Sequence, residues 1–370
     1  MRPAERSEIE SWDELVRANP DGGHMLQTRA WGETKRRWGW DPAYMVWEGR
    51  DTRESGDVRA GQDPREDRGT RESRDVRVAI LFLRRHLPGL GWLWYAPKGP
   101  GVDSPELLAQ VLAERDAFAG AFRVEVEPEL ADTAGNRAAL LAMGLKKGVD
   151  VQIARATVIV DLTPPEDEIL AGFRSKTRYN VRLAARHAVG VTQEPCEGPA
   201  ISAMHQLMGA AFNRADYPLR PESYYATYWR LFEASGQGAL LVARLGDEVL
   251  AGAYVCWLGQ KAWYKDGGSS LRHRELMAPH LLQWEAMRWL KRKGVTSYDL
   301  FAVPGRDEIG VRDHPLAGLW QFKSGFSTDL REFVGLWELV LQPRREAIWR
   351  KAAEPVVRRA RWRLRHDLLY

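Results

Sequence analysis

Cysteine is almost absent from this 370-residue chain. The two residues present, Cys196 and Cys256, form neither a metal-ligand spacing nor a disulfide framework, as expected of a protein kept in a reducing cytoplasm. Eight histidines are present without an HxxxH or HExxH pattern, so no zinc-hydrolase chemistry is indicated and no metal is expected. A G-x-S-x-G elbow, a P-loop and a strand-borne G-x-G-x-x-G are all missing. The stretch 251–279 lacks the Gln/Arg-x-x-Gly-x-Gly/Ala turn that would set an acyl-CoA pyrophosphate at a helix N-terminus. No run approaches the ~18 apolar residues of a membrane-spanning helix, and the charged N-terminus lacks the apolar segment of a signal peptide. No covalent nucleophile can be nominated.

What is present is enough for two sizeable cores. Hydrophobic residues make up 44% of the chain and tryptophan occurs 16 times; at about 150 residues per domain, two domains are expected. The net charge of +4 is unevenly placed. Residues 342–370 carry nine Lys/Arg against three Asp/Glu, which leaves 45 basic and 47 acidic groups for the rest. A near-neutral body with a basic tail points to polyanions, either nucleic acid or an anionic membrane face. Trp349 and Trp362 in that tail would be its interfacial residues.

Periodicity and punctuation predict helices at 7–18 and 27–38, then a strand at 43–48. From 49 to 75 the chain is charged and nearly devoid of apolar residues. Thr52-Arg-Glu-Ser-Gly-Asp-Val-Arg59 recurs there as Thr70-Arg-Glu-Ser-Arg-Asp-Val-Arg77. Such a segment cannot bury enough apolar surface to order itself, and it reads as a flexible insertion in a hairpin. Strands follow at 78–83, 91–96 and 122–127, with a helix between the last two opened by Ser104 and Pro105 and running to about 119. A helix at 136–143 and strands at 149–154 and 157–162 close the first half. The second half begins with a long helix, 166–188, and two more at 201–212 and 221–234. A three-strand meander (240–244, 249–257, 261–265) follows, then a helix at 279–293 and strands at 297–303 and 331–341. Each half repeats the same order of elements without repeating residues, which points to tandem α/β domains.

Three constellations stand out. In Gly318-Leu-Trp-Gln-Phe-Lys-Ser-Gly-Phe326 a lysine, Lys323, sits between two phenylalanines at the end of a strand. A partly desolvated cation there exerts a stronger field than in water; the alternative is a stem that covers apolar surface with its charge in solvent. On the predicted helix around 173–186, Arg178, Arg182 and Arg186 are spaced by four and share a face, with Lys176 nearby and no acids at i±4. A phosphate-bearing partner would relieve their repulsion, by backbone positioning and not sequence reading. Arg220 and Tyr224 flank a helix start and could hold a phosphate or carboxylate.

These residues together resemble a known family. Trp31-x-x-x-Lys35, Tyr95-x-x-Lys-Gly-Pro100, Ser175-Lys-Thr-Arg178 with Arg182, Arg220-Pro-x-x-Tyr224, Trp263-Tyr264 with Gly267-Gly-Ser269, Tyr298-Asp-Leu300 and the Lys323 stretch look like the Fem (FemABX) aminoacyltransferases of peptidoglycan bridges. The likeness covers about 27–341, interrupted by the charged insertion. It implies an α/β (α+β) fold of two tandem acetyltransferase-like (GNAT) domains, with mixed sheets flanked by helices. The first would hold 1–155 and 333–370, including the 49–76 insertion and the 342–370 tail; the second would hold 156–332. It also implies transfer of an amino acid from aminoacyl-tRNA to the stem-peptide side-chain amine of a peptidoglycan precursor, UDP-linked or lipid II. No further cofactor is implied, and the setting would be the cytoplasm, peripherally at the inner membrane face. Lys35, Arg220, Tyr224, Tyr264 and Asp266 would meet the precursor, with Lys35 and Arg220 on its diphosphate. Lys323 would sit at the reacting ester, and Lys176, Arg178, Arg182 and Arg186 on the tRNA backbone. Asp266 departs from the family, where some relatives carry tyrosine, and the long helical tRNA-binding arm of some relatives is missing. Asp216, Asp266, Asp299 or water could take the proton of the attacking amine. The residue-level alternatives are an acyl-CoA N-acyltransferase and a non-catalytic RNA-binding module.

Overall fold

The computed structural model describes residues 1–51, 74–152, 155–214, 219–357, 359 and 370. The charged insertion expected at 49–76 is shorter than that, since 49–51 and 74–76 pair as strand; residues 52–73, Asp216 and Trp362 lie outside the described residues. The strands are β1 (Arg2–Pro3), β2 (Asp41–Asp51), β3 (Arg74–Leu87), β4 (Gly91–Ala96), β5 (Ala121–Val126), β6 (Lys146–Lys147), β7 (Ala156–Asp161), β8 (Gly190–Glu194), β9 (Gly238–Leu245), β10 (Glu248–Leu258), β11 (Lys261–Ser269), β12 (Ser297–Asp299), β13 (Asp329–Glu332) and β14 (Trp337–Val340). The helices are α1 (Arg6–Glu10), α2 (Trp12–Arg17), α3 (Arg29–Arg37), α4 (Pro105–Ala113), α5 (Ala134–Ala142), α6 (Glu166–Gly172), α7 (Ser175–Arg186), α8 (Gly198–Arg214), α9 (Glu222–Ala234), α10 (Ala278–Arg292), α11 (Ala317–Lys323) and α12 (Pro343–Ile348).

They build two mixed seven-stranded sheets, ordered β1-β2-β3-β4-β5-β14-β6 and β13-β7-β12-β11-β10-β9-β8. Each sheet contains one parallel pair, β4 with β5 and β11 with β12, joined through α4 and α10. Parallel neighbours need such a crossover; antiparallel neighbours can be joined by turns, as β9 and β10 are, or by helices, as β8 and β9 are. Both crossover helices start with proline in their first turn, where the missing N–H costs nothing. These are two tandem acetyltransferase-like domains.

One apolar cluster lies under the first sheet and α4, another under the second sheet with α7 and α10. A third joins the halves through Trp12, Trp31, Tyr224, Tyr228, Trp229 and Trp263. Two side chains tie the N-terminal helices to the part of β3 that β4 does not reach. Asn19 exchanges hydrogen bonds with the Ala79 backbone, and Gln27 does so with Leu81. Both act as surrogate strand, so buried backbone groups keep their partners.

Tertiary contacts redraw several predicted elements. The 7–18 helix breaks at Ser11, and the helix from 105 ends at Ala113, with a short 3-10 turn after it. The long 166–188 helix is two helices. Phe173 and Arg174 are extended, because the Phe173 ring packs on Trp284 and Phe326 while the Arg174 N–H donates to the Gly325 carbonyl (2.9 Å). Residues 149–152 form no strand, and the short strands β6 and β8 were not predicted. The 297–303 strand stops at Asp299, since Phe301 adopts φ +62°. The 331–341 strand splits between the two sheets: residues 333–336 cross over, with Gly335 at φ +69°. A Cβ there would stand 2.1 Å from the Asp150 carboxylate, so glycine is required on both counts.

The tail begins as core. Trp349 is fully buried against Phe122 and is no interfacial residue. Arg350 reaches back to Glu346 (2.6 Å) and pairs with Glu338, which also meets Arg123. Replacement of Trp349 by alanine is therefore expected to remove about 3–5 kcal/mol of stability, the range for deleting a buried large aromatic, as read from urea unfolding.

Candidate active site

A cavity of about 1350 Å³ opens in the second domain. One wall is the end of β11, another the loop 301–305, and a third α11. The register of β10 against β11 slips at Tyr254/Val255, so Lys265 is an extra, bulged residue between Tyr264 and Asp266. A bulge re-aims side chains, and here Tyr264, Lys265 and Asp266 all line the cavity. The strand can run so close to α8 because residue 268 is glycine: a Cβ would sit 2.5 Å from the Leu207 backbone.

Lys323 ends α11 and is 4% exposed, so it is not a lysine whose charge reaches solvent. Its Nζ donates to the carbonyls of Phe301 (2.9 Å) and Ala302 (3.0 Å) and lies 5.7 Å from the Tyr264 ring centre. Burial pushes this ammonium down to about 7, while Asp299 pulls the other way. Phe301 belongs to the small class of bulky residues in left-handed backbone, a conformation that costs about 1–3 kcal/mol and persists where surrounding structure over-determines it. Here its N–H donates to Asp299 (2.6 Å) and its carbonyl accepts from Lys323. Asp299 also accepts from the Thr157 hydroxyl, and burial raises it to about 6.

Lys265 places its Nζ 5.5 Å from the Phe301 ring and 5.9 Å from the Tyr228 ring, with Asp266 at 3.9 Å. Burial lowers it to about 8. Asp266 is itself buried and accepts from the Trp229 indole (3.0 Å); burial holds its carboxyl well above the usual range.

The expected precursor residues Lys35, Arg220 and Tyr224 come together across the two domains. Lys35 on α3 donates to the Tyr224 hydroxyl (3.1 Å) and lies over the rings of Trp31 and Tyr224. Arg220 stacks on Tyr224 at 4.4 Å and donates to the main-chain oxygen of Tyr370. Along α9 this cluster reaches Lys265 of the cavity wall. Tyr224 contacts Tyr228 one turn on, with ring centres 5.9 Å apart, and Tyr228 faces Lys265. Arg220 acts at long range on Lys265.

The basic helix α7 abuts the cavity. Thr177 packs on Gly325, where a Cβ would meet its hydroxyl at 2.3 Å, and Asn180 bonds the cavity residue His280 (3.2 Å). Lys176, Arg182 and Arg186 are exposed. Arg178 is different: its guanidinium donates to the carbonyls of Ala171 (2.9 Å) and Phe173 and so closes the end of α6. Its replacement by alanine is expected to lower stability by about 1–2 kcal/mol, the scale of a lost helix cap, in thermal unfolding.

Sequence inspection missed Lys265, Tyr228, Trp229 and Phe301. Tyr228 and Trp229 follow Tyr224 and Tyr225 at helical spacing, which is the signal that could have found them. No sequence signal marks a bulge or a positive φ at phenylalanine. The thiols offer no nucleophile: both are buried, and burial raises Cys196 to about 12.

Residues 171–314 match the family model described as an acetyltransferase (GNAT) domain. The chain is 24% identical over 410 aligned positions to lipid II:glycine glycyltransferases of Staphylococcus aureus strains MRSA252 and USA300, covering 89% of this chain and 90% of theirs. The crystal structure of FemX superposes with a TM-score of 0.73 at 20% identity, covering 95% of this chain and all of that one.

Proposed function

We propose that the chain, which is similar to lipid II:glycine glycyltransferases and shares the FemX fold, is a Fem-type aminoacyltransferase that transfers an amino acid from aminoacyl-tRNA to the stem-peptide side-chain amine of a peptidoglycan precursor. The observation that carries this reading is a desolvated lysine in a large cavity, joined by one aromatic helix face to a second cluster of cations. Both substrates are polyanions, and cations gathered at two places in a near-neutral body suit them. The curated relatives are named for lipid II as acceptor, which supports a lipid-linked or closely similar precursor here.

An aminoacyl ester is already activated. The acceptor nitrogen attacks the ester carbonyl, a C–N bond forms, the C–O bond to the ribose breaks, and the amine's proton ends on the leaving ribose oxygen. Such a step needs proximity and relief of developing oxyanion charge, without an enzyme nucleophile. Lys323 supplies the positive field. Lys35 and Arg220 hold the acceptor's diphosphate, and Tyr264, Lys265 and Asp266 form the wall along which its peptide approaches. Lys176, Arg182 and Arg186 take the tRNA backbone beside the cavity mouth. The acyl-CoA alternative is less well supported, because Pro279 removes a first-turn N–H of α10 that a pyrophosphate cradle would use.

The deciding experiment offers the purified protein radiolabelled aminoacyl-tRNAs with either UDP-linked precursor or lipid II. Label is expected on one acceptor. Binding of tRNA at low salt without transfer to either acceptor would replace this reading with a non-catalytic RNA-binding one. Among the described residues no helix is long and apolar enough to cross a membrane, so lipid II would be met at the membrane surface.

A further inference from the structure

Asp299 is one of the carboxylates close enough to the reaction centre to be considered as the base for the attacking amine. Its surroundings argue for another task. It does not line the cavity, whereas Phe301, Ala302 and Lys323 do. Its Oδ1 is already engaged twice, by the Thr157 hydroxyl and by the Phe301 N–H at 2.6 Å. The residue it grips is the one in left-handed backbone, and that residue's carbonyl, with the next one, holds the Lys323 ammonium. The connection runs without a gap: Thr157 on β7, Asp299 at the end of β12, the bend at Phe301, then the last residue of α11.

We propose that Asp299 is a positioning residue for Lys323: it pins the Phe301 bend so that the Phe301 and Ala302 carbonyls aim the ammonium into the cavity. The inference rests on the transfer reading above for its kinetic consequence, but not for its structural one. A bulky residue keeps φ near +60° only where neighbours enforce it, and Asp299 is the neighbour bonded to its amide. The carboxylate also favours the charged form of Lys323. Tyr264 lies beside Lys323, while Lys265 on β11 and His280 on α10 line the same cavity, and burial keeps His280 neutral, down to about 4. Glu129 and Lys98 also act on Asp299, the first raising and the second lowering it.

A base and a clamp respond differently to an amide. Asparagine cannot accept the amine's proton, but its Oδ1 can still accept the Phe301 N–H. Asp299→Asn is therefore expected to keep kcat within about tenfold of wild type. Asp299→Ala, which loses the grip, is expected to fall by about 10–100-fold, the scale of one charged hydrogen bond. A second readout needs no transfer activity: trace acetylation of the full-length protein with acetic anhydride across pH, with the Lys323 peptide quantified by mass spectrometry. Loss of the carboxylate makes the ammonium easier to deprotonate, so the Lys323 inflection moves to lower pH in Asp299→Asn. Should Asp299→Ala not fold, the asparagine variant decides alone: retained rate with a lowered inflection supports the clamp. Asparagine as inactive as alanine would make Asp299 the base, and an unmoved inflection would break its link to Lys323; either overturns the proposal. A wild-type protein without transfer activity would strike the functional reading and leave the acetylation test standing.

Discussion

Replacing Lys323 by methionine is expected to lower kcat for aminoacyl transfer by about 10²–10³, the effect of removing one oxyanion donor, with little change in substrate KM. Methionine fills similar volume, so the fold should survive. The charge itself is expected to show in the pH profile. The ammonium ionises near 7 because burial disfavours its charged form, so its contribution is present below that pH and is lost as pH rises through it. The acceptor amine works in the opposite direction, since only its neutral form attacks. The product is a bell whose alkaline limb belongs to Lys323, and Lys323→Arg, which stays charged, should erase that limb even if turnover is reduced. Stability carries the same signature with a definite sign. Between about 7 in the folded protein and 10.5 in the unfolded chain, the unfolded state binds more protons, so wild-type stability rises with pH. The methionine variant lacks this slope. Its melting temperature relative to wild type should be highest below pH 7 and should fall towards pH 10. A flat difference, together with full turnover, would remove Lys323 from the reaction centre.

The second large effect is expected on the acceptor side. Arg220→Ala and Lys35→Ala should each raise the acceptor KM by about 10–100-fold, the range for losing a hydrogen bond to a charged group, and leave kcat nearly unchanged. Both cations rest on the same phenol ring, Arg220 at 4.4 Å and Lys35 at 5.3 Å. Groups that share a partner do not add independently, so the double variant should lose less than the product of the two single effects. The acceptor used in the assay tells what the cluster holds. Equal losses with UDP-linked precursor and lipid II mean contact with the diphosphate common to both. A loss confined to the UDP-linked form would assign the cluster to the nucleotide. A rise in the KM for aminoacyl-tRNA instead would mean that the two substrate sites had been exchanged.

Much of this arrangement could be read in advance, and the parts that could not share a physical cause. The meander, both crossover helices and the order of elements in each half follow from apolar periodicity and from Gly and Pro punctuation, which are local properties. Lys323, Lys35, Arg220 and Tyr224 were visible as residue types in a family-like order. The breaks were not visible. Residues 166–188 have helical periodicity throughout, yet Phe173 leaves the helix to meet Trp284 and Phe326. Residues 297–303 alternate like a strand, yet Phe301 turns out of it because Asp299 and Lys323 hold both sides of its peptide. Arg178 shared a face with Arg182 and Arg186, yet its guanidinium closes α6. Trp349 sat in a basic tail and proved to be core.

The sequence by itself determined the inventory: two α/β halves, no reactive thiol or serine elbow, and cations for polyanionic partners in a chain otherwise close to neutral. It left strand orientation open: α10 joins a parallel pair, whereas β8 and β9, with α8 and α9 between them, pair antiparallel. Only the tertiary structure decided which of those cations are chemically unusual. A lysine's ionisation depends on how much water surrounds it, and that is set by surfaces brought together from distant parts of the chain: β11 with its bulge, the bend after β12, and the end of α11 around Lys323 and Lys265. Lys35 and Arg220 became one cluster for the same reason, since the phenol they share lies 189 positions from one of them and only docking of the two halves puts it between them.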